Sequence, residues 1–267
     1  YRSNLNAHIV PAIGGLLLDE VTTADIAGVI ARIDRSRVTK RNALRTVSAL
    51  LVHAHKAGVI AKVPTLPSVE GRSEPSKRRA LTASELRAVL AAADEDVRAV
   101  FTLASWCALR YGEVAALDVG AIDTAAWTVR VERAVKRDPS GRPVLGPPKS
   151  RAGYRSVSIP PQAREDMAAY LSRRGDGPGL LFPCTPGWGG FWSDRALRTR
   201  LKVACERAGV EPVGLHELRH TGLTLFGQAG ATLADLMYRA GHTSADTVMI
   251  YQHSTAERDR ELAARMG

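Results

Sequence analysis

Cysteine is scarce in this chain, with three among 267 residues: Cys107, Cys184 and Cys205. They are odd in number, far apart and without metal-ligand spacing, which excludes a disulfide framework and a zinc module. Reduced thiols in a cytosol fit best. Long apolar runs are missing, so no segment is expected to span a membrane. The first residues, Tyr1-Arg2-Ser3-Asn4, carry no signal-peptide hydrophobic region. They also lack an initiator Met, which leads us to expect a fragment or a processed chain. No Gly-x-x-x-x-Gly-Lys loop is present, so nucleotide triphosphate chemistry is not expected. Clustered carboxylates are missing too, so neither a metal ion nor any other cofactor is expected.

Acidic residues are outnumbered. The chain has 37 Lys and Arg against 27 Asp and Glu, a formal charge of +10. Such an excess favours a polyanionic partner. It is also uneven: residues 1–79 hold 13 basic against 6 acidic side chains, and the remainder 24 against 21. Apolar residues make up 45%, enough for ordinary globular cores.

Two domains and a linker are expected. Residues 1–67 read as helical, with Pro11 and Gly14-Gly15 breaking the first segment. Thr22 and Asp25 supply a capping box ahead of Ile26, Val29, Ile30 and Ile33. A second helix is predicted over about 38–57, from the helical spacing of Leu44, Val47, Leu50, Leu51 and Ala54. Arg32, Arg35, Arg37, Lys40, Arg41 and Arg45 gather where these helices join. They form either a solvated face or a nucleic-acid contact. Residues 68–79 are polar and unpatterned, a linker in which Lys77, Arg78 and Arg79 could track phosphates. Residues 80–267 form the second domain, opened by Thr82 with Glu85 three residues on. A buried helix is predicted over roughly 96–108. Strands are predicted at 127–131 and 155–159, with a turn at 139–142. A helix follows over 162–171, residues 175–190 read as loop, and Ser193 starts another helix. Trp188, Phe191 and Trp192 read as packing residues in preference to base-stacking ones.

The chemistry concentrates between Leu215 and His253. His216 and Arg219, three apart, share one helix face. His242 follows Gly241, as expected just past a helix end, and Tyr251 lies nine residues further on. A guanidinium, imidazoles and a phenol suit attack on a phosphodiester. Upstream, Arg110 ends an apolar run, where an arginine needs a partner, and Glu113 stands three residues later.

His-x-x-Arg, Gly-His and Tyr in this order and spacing resemble the C-terminal signature of tyrosine recombinases, the phage-integrase family. Arg110-Tyr111-Gly112-Glu113 resembles that family's Arg-x-Gly-Glu, with Cys107-Ala108 standing where Thr-Gly is common; that departure is expected to alter packing only. Residues 1–14 resemble, more loosely, the family's core-binding domain, which normally begins with a further helix. The resemblance implies a mainly α fold with a small antiparallel β-sheet, in two domains: a helical core-type DNA-binding domain and a mixed catalytic one. It implies a site-specific DNA recombinase, a phage or mobile-element integrase working through a 3′-phosphotyrosine. A Xer-like dimer-resolution recombinase and an inactive DNA-binding module are the alternatives.

By the same resemblance, Arg110 and Arg219 grip the scissile phosphate and Glu113 holds Arg110. Lys149, in the turn before an Arg-x-Val strand, protonates the 5′ oxygen; Lys136, Arg151 and Arg155 are the competing cations. His216 acts as acid/base or orients Tyr251, the nucleophile, and His242 bonds the phosphate. His220 is assigned to structure. The implied partners are double-stranded DNA bearing core-type sites, further copies of the chain as dimer or tetramer, and host bending and directionality factors. The implied location is the bacterial cytoplasm, at the nucleoid. After Tyr251, Ala256, Leu262, Ala263 and Met266 leave a weakly amphipathic tail.

Overall fold

The computed structural model describes residues 1–69 and 79–242, together with 245, 248, 249 and 264. Tyr251, the tail beyond it, Lys77 and Arg78 lie outside the described residues. The chain divides into two compact units, Tyr1–Lys77 and Arg78–Gly267.

The first unit begins with a helical run: α1 (Arg2–Asn4), a π-turn (Leu5–Ile9) and α2 (Val10–Ile13). Pro11 does not break this run, contrary to the expectation. A proline ring crowds the carbonyl four residues back, and here that residue lies in the π-turn. There the Val10 N–H reaches back five residues to Leu5, which widens the backbone around the ring. The run stops at Gly14. The Thr22/Asp25 capping box starts α3 (Thr23–Ala31), and the Ser36 hydroxyl caps α4 (Arg37–Lys56). Ala43, Val47, Leu51 and Ala54 bury one face of α4, and Val47, Leu51 and Ala54 pack with Ile9, Val21, Ile26 and Val29.

The second unit opens with α5 (Ala83–Ala92) behind the Thr82/Glu85 capping box, then α6 (Glu95–Trp106) and the short α7 (Tyr111–Val114). Strands β1 (Ile122–Asp123), β2 (Thr128–Val131), β3 (Ala134–Arg137), β4 (Pro143–Gly146) and β5 (Arg155–Ser158) follow. β1, β2 and β5 form an antiparallel sheet in that order, and β3 pairs with β4 as a separate hairpin. Val129 stands opposite Val157, and Val131 opposite Arg155, so both pairs face the core. Helix α8 (Pro161–Arg174), strand β6 (Pro183–Trp188) and helices α9 (Asp194–Arg207), α10 (Leu215–Gln228) and α11 (Leu233–Ala240) complete the unit. One large core joins α6, the β2–β5 sheet, α8, α9 and α10 through Phe101, Leu103, Val129, Ile159, Met167, Phe182, Leu201 and Leu218. Helix α11 packs in a smaller cluster through Leu236 and Ala240 with Leu223 and Ala108.

Two expectations need correction. Residues 175–190 are not all loop, because β6 runs through them and bridges back to Phe191. Gly189 and Gly190, at φ 63° and 84°, make the reversal that brings Phe191 onto that strand. The β3–β4 hairpin was also not anticipated; its charged Lys136 and Arg137 and its Pro143 mask the alternation that marks a strand. Phe191 and Trp192 are buried, and Arg137 lies 4.3 Å over the Trp188 ring, so the aromatics pack within the unit. Among the described residues, no helix is long and apolar enough to cross a membrane.

Candidate active site

The site is organised by the C-terminal end of α11. A helix end leaves its last carbonyls without partners and carries partial negative charge. Three arginines meet those carbonyls here. Arg155 Nε donates to Arg239 O (2.9 Å), Arg219 Nη2 to Ala240 O (2.5 Å) and Arg110 Nη2 to Gly241 O (3.2 Å). Gly241 closes the helix in the left-handed region, at φ 59° and ψ 47°. A Cβ there would stand 2.9 Å from Arg155 Nη1, so the close approach requires glycine as much as the φ does.

Glu113 ties the arginines together from the other side. Its carboxylate accepts from Arg110 Nη1 (2.7 Å), from the Arg110 backbone N–H (2.9 Å) and from Arg155 Nη2 (2.9 Å). Arg219 Nη1 is 4.0 Å away. Burial works to raise the Glu113 pKa, but hydrogen bonds and charge from Arg155, then from Arg110, outweigh it and hold the carboxyl below its ordinary value. It is therefore ionised at neutral pH. The four groups sit unequally: Arg110 is 37% exposed at the side chain, whereas Arg219, Arg155 and Glu113 are 2%, 1% and 4%. Arg110 thus offers the accessible guanidinium, with Arg219 beneath it.

Arg219 projects from α10, where Leu215, Leu218 and Leu223 bury the same side. Its Nη1 donates to the Ala108 carbonyl and its Nη2 lies 3.0 Å from His242 Nε2. A guanidinium only donates, so His242 accepts at Nε2 and carries its proton on Nδ1. Burial lowers the His242 pKa to about 4, assisted by the charges of Arg219, Arg110 and Arg155 against the opposing pull of Glu113. His242 is therefore a neutral hydrogen-bonding group at pH 7. His216 is exposed in the first turn of α10, one turn before Arg219, and His220 is half-buried.

Lys149 is exposed in the loop between β4 and the 3-10 turn Arg151–Gly153. Gly153 shapes that loop, since a Cβ on it would collide with the Pro148 ring. Of the competing cations, Lys136 is exposed on β3 and Arg151 on the 3-10 turn. Arg155 is removed from the acid role by burial and by its pairing with Glu113. Tyr251 lies outside the described residues; Val248, three residues earlier, is buried against Ala108, Leu223, Leu236 and Ala240. The chain is thus held against α10 and α11 just before the phenol.

Three features went unread in the sequence. Arg155, a competing cation for the acid role in the sequence, is a buried partner of Glu113, and strand periodicity contains the signal: Val157 and Ile159 face inward, so Arg155 does too. Arg239 is buried on α11, donates to Trp106 O (2.6 Å) and stacks 4.5 Å from the Phe226 ring centroid. The Cys107-Ala108 departure affects backbone as well as packing, because Ala108 adopts φ 53° to turn its carbonyl toward Arg219. The neighbouring Cys107 thiol is pushed up to about 12 by burial, which keeps it unreactive.

Among the basic candidates, Arg32, Arg35, Arg37 and Arg45 are exposed, and Lys40 and Arg41 half-exposed. Arg37 and Lys40 also line an open groove with Ala27, Ala31 and Pro67. Arg79 is drawn into ion pairs with Glu85 and Glu211. Among the described residues, no three His, Cys, Asp or Glu side chains could hold a metal ion together.

Residues 79–258 match the family model described as the phage integrase family. Over 269 residues the chain is 33% identical to a putative prophage phiRv2 integrase of Mycobacterium tuberculosis (strain CDC 1551 / Oshkosh), covering 99% of this chain and 71% of that protein. Tyrosine recombinase XerD of the same strain is 30% identical over 203 residues, or 71% of this chain and 62% of that one. Among solved structures, the Tn1549 transposon integrase in complex with transposon right end DNA superimposes with a TM-score of 0.79 at 18% identity, covering 99% of this chain and 90% of that one.

Proposed function

The chain belongs to the phage integrase family and is a tyrosine-type site-specific DNA recombinase; we propose that it integrates mobile DNA through a 3′-phosphotyrosine intermediate. The observation that carries this reading is the convergence of Arg110, Arg219 and His242 at the end of α11, buttressed by Glu113. A phosphodiester repels nucleophiles through its non-bridging oxygens. Arg110 meets those oxygens from the accessible side, while Arg219 adds its charge from beneath. Both stabilise the charge that grows in the transition state. Neutral His242 adds a hydrogen bond without a further charge. Tyr251 attacks in line as the nucleophile; a free phenol titrates near pH ~10, so this role requires cations that favour the phenolate. His216 takes or orients its proton, and Lys149 protonates the departing 5′ oxygen. Because the covalent link conserves the bond energy, strands can be exchanged and rejoined.

The substrate is double-stranded DNA. In the first unit, Arg37, Lys40 and Arg41 occupy the first turns of α4, where no acidic residue offsets the positive helix end. Exchange between two duplexes needs four active sites, so the chain acts as a dimer on each site and a tetramer in the synapse. Host bending and directionality factors assist it, in the bacterial cytoplasm at the nucleoid. A Xer-type role has weaker support, because the XerD of Ralstonia nicotianae that matches 99% of this chain is 26% identical to it, against 33% for the prophage integrase.

The test is a nicked duplex pool with randomised sequence, which traps the enzyme on DNA when the cleaved fragment diffuses away. Wild type should yield a 3′-linked protein–DNA adduct, and sequencing the trapped DNA identifies the target. Tyr251→Phe should bind the pool equally and yield none. Undiminished adduct in the variant would remove Tyr251 as nucleophile, and no adduct from wild type would favour a binding module.

A further inference from the structure

We infer that Arg155 is a positioning residue that aligns three parts of the cleavage machinery at once: the Arg110 guanidinium, the Lys149 loop and the His242 turn. This rests on reading the site as the phosphodiester-cleaving centre. The geometry is specific. Arg155 Nη2 and Nη1 bond the two Glu113 oxygens at 2.9 and 3.3 Å, and Glu113 in turn orients Arg110. Its Nη1 also donates to Gly153 O at 3.0 Å, fixing the end of the loop that carries Lys149. Its Nε donates to Arg239 O at 2.9 Å, fixing the last turn of α11 just before Gly241 and His242. A single rigid fork therefore spans three segments distant in sequence, from a position 1% exposed and closed to substrate. A lysine could supply the charge but not three fixed directions.

Arg155 also sets the charge state on which Arg110 depends. The groups facing Glu113 are Arg110 from the start of α7, Arg155 from β5, Arg219 from α10 and His242 beyond α11. Burial alone would raise the Glu113 pKa, and Arg155 is the strongest influence against it. Without Arg155 the carboxyl takes up a proton at higher pH, and a protonated Glu113 no longer holds Arg110 by charge. Cleavage then fails as pH falls, at a higher pH than in wild type.

The experiment measures the initial rate of covalent adduct formation on the nicked randomised pool from pH 5 to 9. It compares wild type, Arg155→Met and Arg155→Lys, with DNA retention followed by fluorescence anisotropy. Arg155→Met should bind DNA within threefold of wild type and form adduct at least 100-fold more slowly at pH 7. Its acid limb should move up by a pH unit or more. Arg155→Lys should lose at least tenfold in rate with the acid limb near that of wild type, since charge is kept and alignment lost. Rates within threefold of wild type for either variant overturn the inference. So does a loss that is equal at every pH and matched by lost DNA binding, which marks a general structural defect. Should Arg155→Met fail to fold, the rate and acid limb of Arg155→Lys decide by the same criteria. Arg110→Ala, run in parallel, isolates the underlying reading: cleavage at the wild-type rate there would sink the site itself, whatever Arg155 does.

Discussion

Ala108 shows how one residue can satisfy the site and strain the backbone together. Its φ of 53° places an L-residue in the left-handed region, and its methyl is fully buried. The left-handed conformation costs an alanine about 1–2 kcal/mol. Burying the methyl returns about 0.8 kcal/mol, and alanine restrains the unfolded chain by about 0.4–1 kcal/mol relative to glycine. These terms nearly cancel, so Ala108→Gly should change stability by no more than about 1 kcal/mol. Ala104 offers the comparison, buried to a similar degree but inside α6. There glycine forfeits the methyl and about 1 kcal/mol of helix propensity, so Ala104→Gly should cost about 2 kcal/mol. Urea unfolding of both variants checks this. Equal losses would mean that Ala108 bears no backbone strain in solution.

Helices α6 and α10 meet more closely than side chains would permit. At Gly222 a Cβ would overlap the carbonyl oxygen of Ser105, a backbone atom with no soft degree of freedom. Gly222→Ala should therefore force the helices apart and cost about 1–3 kcal/mol or more, lowering Tm by several degrees. Because Arg219 lies three residues earlier on α10, adduct formation should fall with it. Gly28, inside α3, has nothing within 4 Å of its missing Cβ, so Gly28→Ala should stabilise by up to about 1 kcal/mol. Thermal unfolding separates the two; a stabilising Gly222→Ala would refute the close approach. Gly222 also marks a limit of the sequence. Helical spacing foretold α4, the apolar run foretold α6, and residue type foretold the capping boxes at Thr22 and Thr82, because those signals are local. So were the motif positions Arg110, Glu113, His216, Arg219 and His242 legible, as residue types in a recognisable order. What stayed hidden depends on contacts remote in sequence: Gly222 against Ser105, Arg155 beneath Glu113 42 residues away, and the hairpin whose strands are charged. Nothing local distinguishes an arginine that faces water from one that faces a carboxylate.

Over the whole molecule, the smaller unit, with 77 of the 267 residues, carries half of the excess charge, 11 Lys and Arg against 6 Asp and Glu. If Arg32, Arg35 and Arg45 contact phosphates, each releases about one counterion on binding. Replacing all three by Gln should then reduce the slope of log K against log salt by about 2 to 3 units. Their exposure means that Tm should change little. A control removes the same charge elsewhere: Arg130, Arg173 and Arg198 are exposed in the larger unit and already paired with Glu132, Glu95 and Asp194. If net charge alone attracts DNA, the two triple variants should lose affinity alike, through long-range attraction that salt screens equally in both. If the basic junction between α3 and α4 lies against the duplex, only the first variant should flatten the slope. Anisotropy titrations from 50 to 300 mM salt on one duplex of fixed length distinguish these outcomes. An unchanged slope in the first variant would place the phosphate contacts elsewhere on the protein.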